Sequence, residues 1–271
     1  MRDLLAVRPE DGPFTLRAID PAATHGVAKG RARAERDAVA KELSELQERL
    51  TAERQRSLLI VLQGMDTSGK DGTIEHVMSG LNPQGVHVHA FKQPTPRELR
   101  HDFLWRIRRE LPEPGGIGIF NRSHYEDVLI ARVDGLAPPR MIERRYGRID
   151  QFEADLVRRG TRLVKVMLHL SFEEQRRRLV ARLEDPDKRW KFAPDDVDKR
   201  SQWDDYQAAY DVALQRCSPP DARWYVVPAD HRWFRNVAVA RLVLETLREM
   251  DPRYPQPDLD VPALLERLRA S

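Results

Sequence analysis

The stretch from Leu58 to Thr73, Leu-Leu-Ile-Val-Leu-Gln-Gly-Met-Asp-Thr-Ser-Gly-Lys-Asp-Gly-Thr, constrains this chain more than any other. The apolar run Leu58 to Leu62 gives way to Gly64, four residues, Gly69 and Lys70, and a helical pattern follows. Between a strand and a helix, G-x-x-x-x-G-K reads as a loop that wraps an anion. Its glycines let successive backbone N–H groups point at one centre. The helix beginning near Lys70 adds its positive end, and the lysine ammonium reaches the outer phosphate.

Two departures from the common loop are informative. Asp71 follows Lys70, where a Ser or Thr would ordinarily help bind magnesium. Asp66 sits inside the loop, where a carboxylate repels an anion unless a cation stands between them. Asp66 is therefore expected to hold magnesium in place of the missing hydroxyl, with Thr73 as a second oxygen source. Gly64, Thr67, Ser68, Gly69, Lys70, Asp71, Gly72 and Thr73 form the expected phosphate cradle.

Residues 1–30 hold Pro9, Pro13 and Pro21 and no sustained period, so they read as an extended surface arm. From Arg31 to Arg56 a helix carries one apolar seam, Val39, Leu43, Leu46 and Leu50. That seam is expected to pack on its own domain, with a dimer contact as the alternative. Strands are expected at 58–62, 86–91, 117–120, 163–168 and 224–227, alternating with helices. Among these helices, Thr95 caps one through Leu99, Phe103, Leu104 and Ile107, and others cover 141–159 and 233–250. Ser171 and Glu174 make a capping box, and a short helix near 261–269 lies in the proline-rich tail, 251–271. Such alternation predicts an α/β fold, a parallel sheet of about five strands covered by helices on both faces. Ligands in such sheets lie beyond the strand carboxyl ends, which puts Asp66, the turn at Lys92 and Asn121 to Asp127 around one crevice.

The segment Phe120-Asn-Arg-Ser-His-Tyr-Glu-Asp127 supplies polar groups facing the glycine loop. Asn121 is neutral, Glu126 and Asp127 are acidic, and Arg122 suits a transferring phosphoryl group. A basic run follows the fourth strand, Arg176 to Arg178, Arg182, Lys188, Arg189 and Lys191. Arg178 and Arg182 fall on one helical face. The run reads as a lid over 172–206 facing a substrate with many phosphates, rather than a solvated face paired with Glu173, Glu174, Glu184 and Asp185. Trp190, Phe192, Trp203 and Tyr206 are expected to pack the lid.

Composition narrows the classes. With 33% charged and 41% apolar residues in 271, the chain is globular, sized for one large domain over 31–250. A net charge of +3 leaves polyanion affinity to local clustering. The single cysteine, Cys217, precludes an internal disulfide and fits a reducing compartment. No run is long enough to span a membrane, and the first residues lack a signal pattern, so a cytoplasmic protein is expected. No nucleic-acid reader module is recognisable, and aromatics do not alternate with the basic residues.

Together G-M-D-T-S-G-K-D-G, K-Q-P-T, F-N-R-S-H-Y-E-D, E-Q-R-R-R...E-D-P-x-K-x-W-K and W-D-D-Y resemble the family-2 polyphosphate kinases over residues 35 to 250. The resemblance implies a P-loop kinase-like sheet with a helical lid. It also implies transfer between inorganic polyphosphate and AMP, ADP or ATP, dependent on magnesium or manganese. Many members carry D-R-S-x-Y-N where this chain has Asn121 to Glu126. The carboxylate lost at Asn121 and gained at Glu126 resembles the subgroup accepting both AMP and ADP. The implied roles are Asp66 and Glu126 for the metal, and Lys70 and Arg122 on the transferring group. Lys92, Asn121 and Arg122 would meet the nucleotide, and Arg178, Arg182, Lys188 and Lys191 the polyphosphate. A homo-oligomer, dimer or tetramer, is expected. The alternatives are an ATP-dependent kinase of a small metabolite and a non-catalytic nucleotide or nucleic-acid binder.

Overall fold

A computed structural model describes residues 1–271. Five strands, β1 (Ser57–Gln63), β2 (Val86–Ala90), β3 (Ile117–Asn121), β4 (Thr161–His169) and β5 (Trp224–Pro228), form one parallel sheet in the order β2-β3-β1-β4-β5. The helices are α1 (Arg2–Leu5), α2 (Lys29–Ala34), α3 (Arg36–Glu53), α4 (Lys70–Met78), α5 (Trp105–Arg108) and α6 (Ile130–Val133). They continue with α7 (Pro139–Arg158), α8 (Phe172–Glu184), α9 (Asp195–Ser201), α10 (Trp203–Arg216), α11 (Arg232–Met250) and α12 (Val261–Ala270).

Side chains alternate across the pleat, so the apolar run of β1 serves two cores. Leu58, Ile60 and Leu62 face a layer of α3, α4 and α11, where Leu43, Leu46 and Leu50 are buried. The α3 seam is thus covered within its own chain, as expected from its period. Each such leucine contributes roughly 1.5–3 kcal/mol on burial. Leu59 and Val61 face the opposite layer, built from α7, α10 and the segment after β3. No helix is long and apolar enough to cross a membrane.

Three local expectations change. The arm does not lie extended on the surface: Leu5, Val7 and Leu16 are buried, and Ala6 bridges Tyr225 antiparallel at the edge of β5. The helix expected from Thr95 splits into a 3-10 turn, Glu98–Arg100, and the short α5. Thr95 still caps, its Oγ1 accepting from the Glu98 N–H at 3.3 Å, but Asp102 begins a new cap by accepting from the Leu104 N–H at 3.1 Å. An Asp that offers its own backbone-like acceptor competes with helix continuation. Leu99 is consequently left 70% exposed. Downstream of α8 the sequence after Pro194 to Asp198 reads as one helix running to about Arg216, but the chain forms two, α9 and α10, divided at Gln202 and beginning already at Asp195.

Close contact between the turn after α4 and α3 depends on Gly80, where an added Cβ would stand 2.8 Å from the Ala40 Cα. Because that neighbour is backbone, Gly80→Ala is expected to lower unfolding stability by about 1–3 kcal/mol, read from urea unfolding.

Candidate active site

The sheet register builds the crevice. Leu62 of β1 pairs with Asn121 of β3, and the Arg122 N–H donates to the Leu62 carbonyl at 3.0 Å. The chain leaving β1 and the chain leaving β3 therefore emerge side by side at the strand carboxyl ends, the usual place for a ligand. Both turn sharply through left-handed backbone, Thr67 at φ 65° and Arg122 at φ 63°. Non-glycine residues hold that conformation at a cost of about 1–3 kcal/mol, and such strain clusters at functional sites.

The glycine loop is tight. A Cβ on Gly64 would lie 2.8 Å from the Leu168 carbonyl oxygen of β4, and its φ of 152° also favours glycine. Lys70 opens α4, and its Nζ donates to the Gly64 carbonyl at 2.8 Å, folding the ammonium back across the loop. The buried hydroxyls of Thr67 and Ser68 have no partner within the protein. That is the donor chemistry an anion in the loop would satisfy. Thr73 departs from its expected metal role: wholly buried, it donates its hydroxyl to the Gly69 carbonyl at 3.0 Å. Asn121 donates to Asp71 Oδ1 at 2.8 Å, which fixes the carboxylate in the first turn of α4. Gly72 lies in that same turn.

Asp66, Arg122 and Glu126 line one crevice, together with Met65, Ile130 and Gln175. Arg122 donates to Asp66 Oδ1 at 3.1 Å, and Gln175 of α8 donates to the Asp66 carbonyl at 3.1 Å. Burial works to raise the Asp66 carboxyl, but Lys70, Arg122, Lys199 and Arg182 together hold it below its ordinary value. Burial lowers the Lys70 ammonium, with Arg122 adding to that effect. For Arg122 the penalty of burial is outweighed by Glu126 and Asp66, which raise its pKa. Asp127 turns elsewhere. It meets Arg145 at 3.5 Å, and burial raises its carboxyl despite that partner.

A buried polar network supports the segment after β3 from beneath. Lys165 of β4 donates to the Tyr125 hydroxyl at 3.0 Å, the Cys217 carbonyl at 2.7 Å and the Glu153 carboxylate. Tyr125 donates to Glu153 Oε1 at 2.9 Å, and His124 Nε2 lies 3.1 Å from the same oxygen. Cys217 is fully buried, and burial pushes its thiol far above its usual range, so it stays protonated at neutral pH.

The second expected cluster divides. Arg178 is not an open contact for a polyanion: its side chain is 5% exposed, and its donors are occupied. It donates to the Thr67 carbonyl at 2.9 Å, Ala229 at 2.7 Å, Asp230 at 2.9 Å and Glu174 Oε1 at 2.7 Å. Arg235 of α11 joins it, donating to the Ser68 carbonyl at 3.1 Å. Burial, with Arg178 and Arg232 nearby, pushes that guanidinium down to about 10, still charged at neutral pH. The two arginines brace the back of the loop. Arg176 and Arg177 pair with Glu173 and Glu174 on the outer face, the solvated arrangement.

Arg182 remains near the crevice, donating to the Lys191 carbonyl at 3.0 Å and lying 3.8 Å from Asp196. Lys188 and Lys191 are exposed, Lys188 beside Asp185 and Lys191 5.0 Å over the Trp190 ring. Trp190 itself is 77% exposed and does not pack, whereas Trp203 packs edge-on against Phe172 at 5.2 Å. Lys92 is exposed at its turn, where its carbonyl accepts from Arg106 at 2.8 Å.

The sequence reading gave no role to the crevice residues Gln175, Asp196, Lys199 and Tyr210, nor to Arg235 behind the loop. The E-Q-R-R-R and W-D-D-Y signatures and the expected lid span pointed near most of them without naming them. Tyr206, expected to pack, also lines the crevice. Burial raises the hydroxyl pKa of Tyr206 and Tyr210, with Glu126 adding to it in both.

A family description, polyphosphate kinase 2, matches residues 26–255. The AMP/ADP-polyphosphate phosphotransferase of Meiothermus ruber is 46% identical over 251 residues, 92% of this chain and 94% of the relative. The ADP-polyphosphate phosphotransferase of Rhodopseudomonas palustris is 45% identical over 226 residues, 79% of this chain and 78% of the relative. The crystal structure of polyphosphate kinase 2 from Arthrobacter aurescens superposes with a TM-score of 0.93 at 44% identity, covering 98% of each chain. On sequence and fold alike, the chain belongs to the polyphosphate kinase 2 family.

Proposed function

We propose that this chain transfers the terminal phosphoryl group of inorganic polyphosphate to AMP and to ADP, giving ADP and ATP, with magnesium as the supporting ion. The grouping of Asp66, Arg122 and Glu126 around one crevice at the glycine loop carries this reading. A phosphate oxygen of the acceptor attacks the terminal phosphorus of the polymer. The bond to the bridging oxygen breaks, and polyphosphate one unit shorter departs. That acceptor oxygen is already ionised near neutral pH, so no general base is needed. In-line placement and neutralisation of crowded charge are what the site supplies.

Each residue has a part in that division of labour. The unpartnered hydroxyls of Thr67 and Ser68, the loop N–H groups and the start of α4 bind phosphate oxygens. Lys70 and Arg122 offset charge on the transferring group. Asp66, held ionised, and Glu126 offer hard oxygen donors, which suit magnesium, or manganese in its place. When bound there, the ion supplies neutralisation of phosphate charge. Tyr206 and Tyr210 keep their protons and serve as donors. The segment 172–206 acts as a lid, with Arg182, Lys188 and Lys191 along the polymer, and Lys92 and Asn121 lie on the nucleotide side. The domain works in the cytoplasm as a homo-oligomer.

Glu126 favours two acceptors over one. The relative named for AMP and ADP and the relative named for ADP are almost equally similar to this chain, so identity does not choose between them. An acceptor shorter by one phosphate is accommodated if the ion and the basic side chains grip phosphates rather than the base. Purified protein, magnesium and long-chain polyphosphate, with no ATP added, are expected to give ADP and then ATP from AMP, and ATP from ADP. Chromatographic resolution of the nucleotides, with a control lacking polyphosphate, checks this. Product from ADP alone would remove AMP as a substrate, and no product from either would overturn the reading.

A further inference from the structure

The edge strand β2 carries a cluster that phosphoryl transfer does not use. His87 and His89 are two apart on a strand, so both imidazoles project from one face. Glu110, just beyond α5, comes to the same place from outside the sheet. Its Oε2 lies 2.9 Å from His87 Nε2 and 3.0 Å from His89 Nδ1. The three ligand atoms all fall within 4.8 Å of one another, and no other trio of His, Cys, Asp or Glu side chains in the chain does so. We propose that His87, His89 and Glu110 form a binding site for a divalent transition-metal ion of the zinc or nickel class.

The spacing fits that chemistry. Two ligand atoms about 2.1 Å from one ion stand about 3.0 Å apart at a right angle and about 3.4 Å apart at the tetrahedral angle that zinc prefers. Glu110 Oε2 stands 2.9 and 3.0 Å from the two imidazole nitrogens, the right-angled spacing and within about 0.5 Å of the tetrahedral one. Imidazole nitrogen suits zinc, nickel, copper and cobalt, whereas magnesium prefers oxygen alone. The trio is thus selected for a different ion from the one that Asp66 and Glu126 would hold. The side chains of His87, His89 and Glu110 are 58%, 34% and 27% exposed, so an ion can enter and keep solvent on its open positions. The same contacts would also serve a carboxylate paired with protonated imidazoles, and the experiment must separate the two.

Location gives the site a structural consequence. β2 is bonded to a neighbour only along β3, and an ion shared with Glu110 would tie that edge to the segment leaving α5. The His89 ring lies 4.3 Å from Phe91, which meets Phe120 edge-on at 4.9 Å, one residue before Asn121. The site is therefore packed against the strand end that leads into the crevice.

The test uses the untagged full-length chain, stripped with a chelator and titrated with zinc chloride by calorimetry, then with cobalt(II) while visible absorption is recorded. One equivalent is expected to bind, with d–d bands on cobalt loading and a rise in melting temperature on zinc loading. His87→Gln, His89→Gln and Glu110→Gln are each expected to weaken zinc at least tenfold and to remove the thermal shift. Far-UV circular dichroism of each variant must match the parent, and His87→Gln, at the most exposed of the three positions, guards against loss of fold. Equal zinc affinity in all three variants would place the ion elsewhere and overturn the proposal. So would no binding by the parent chain up to about 1 mM, which would leave the trio an ion pair only.

Discussion

Asp66→Asn is expected to lower kcat for phosphoryl transfer by about a thousandfold, the scale seen when one preorganised electrostatic group is removed. Its melting temperature should stay within about 4 °C of the parent. The substitution keeps size and shape, and the amide oxygen can still accept from Arg122, which now donates to Asp66 Oδ1 at 3.1 Å. What disappears is the charge. Lys70, Arg122, Lys199 and Arg182 all act to keep Asp66 ionised, so its loss leaves four cations facing the crevice without their central counter-charge. A hard oxygen anion for the metal goes with it. Initial rates with polyphosphate and ADP across a magnesium series, beside thermal melts, check both halves. An unchanged rate and magnesium dependence would remove Asp66 from the reaction.

Arg178→Ala is expected to act in the opposite way, costing about 3–5 kcal/mol of unfolding stability, the range for one partner removed from a buried ion pair. Glu174, 10% exposed, would lose the Arg178 guanidinium and keep only that of Arg177, which is 76% exposed. The carbonyls of Thr67, Ala229 and Asp230 would lose their donor as well. Arg178→Lys should recover only part of the loss, because one ammonium cannot span both the loop and the end of β5 as a planar fork does. Urea unfolding of the two variants measures this. A contact to polyphosphate would instead leave stability unchanged and raise the apparent KM for the polymer.

What was legible in the sequence was what is local. The glycine loop and the strands declared themselves through runs and periods shorter than a dozen residues, and the sheet order then put Asn121 beside Leu62. The capping box at Ser171 was equally local, its Oγ accepting from the Glu174 N–H at 3.1 Å. Arg178 was misplaced because helical spacing sees only its neighbours on α8. Its decisive acceptors lie 111 residues away at Thr67 and 51 away at Ala229. Arg235 was invisible for the same reason, its acceptor Ser68 being 167 residues off. The helix expected from Thr95 failed through a local competitor, the cap at Asp102, that an apolar period does not weigh.

The bridge between Ala6 and Tyr225 bears on how the chain is made. The Val7 N–H donates to the Trp224 carbonyl at 2.8 Å, and its own carbonyl accepts from Arg223, 216 residues later. Val7 and its neighbours therefore acquire their partner only when β5 leaves the ribosome, roughly 10–40 s later at 5–20 residues per second. Throughout that interval the segment that carries the buried Leu5 and Val7 has no strand to pair with. The segment around Val7 is a latch that waits for β5 to be made, and its closure reports that the sheet has been completed.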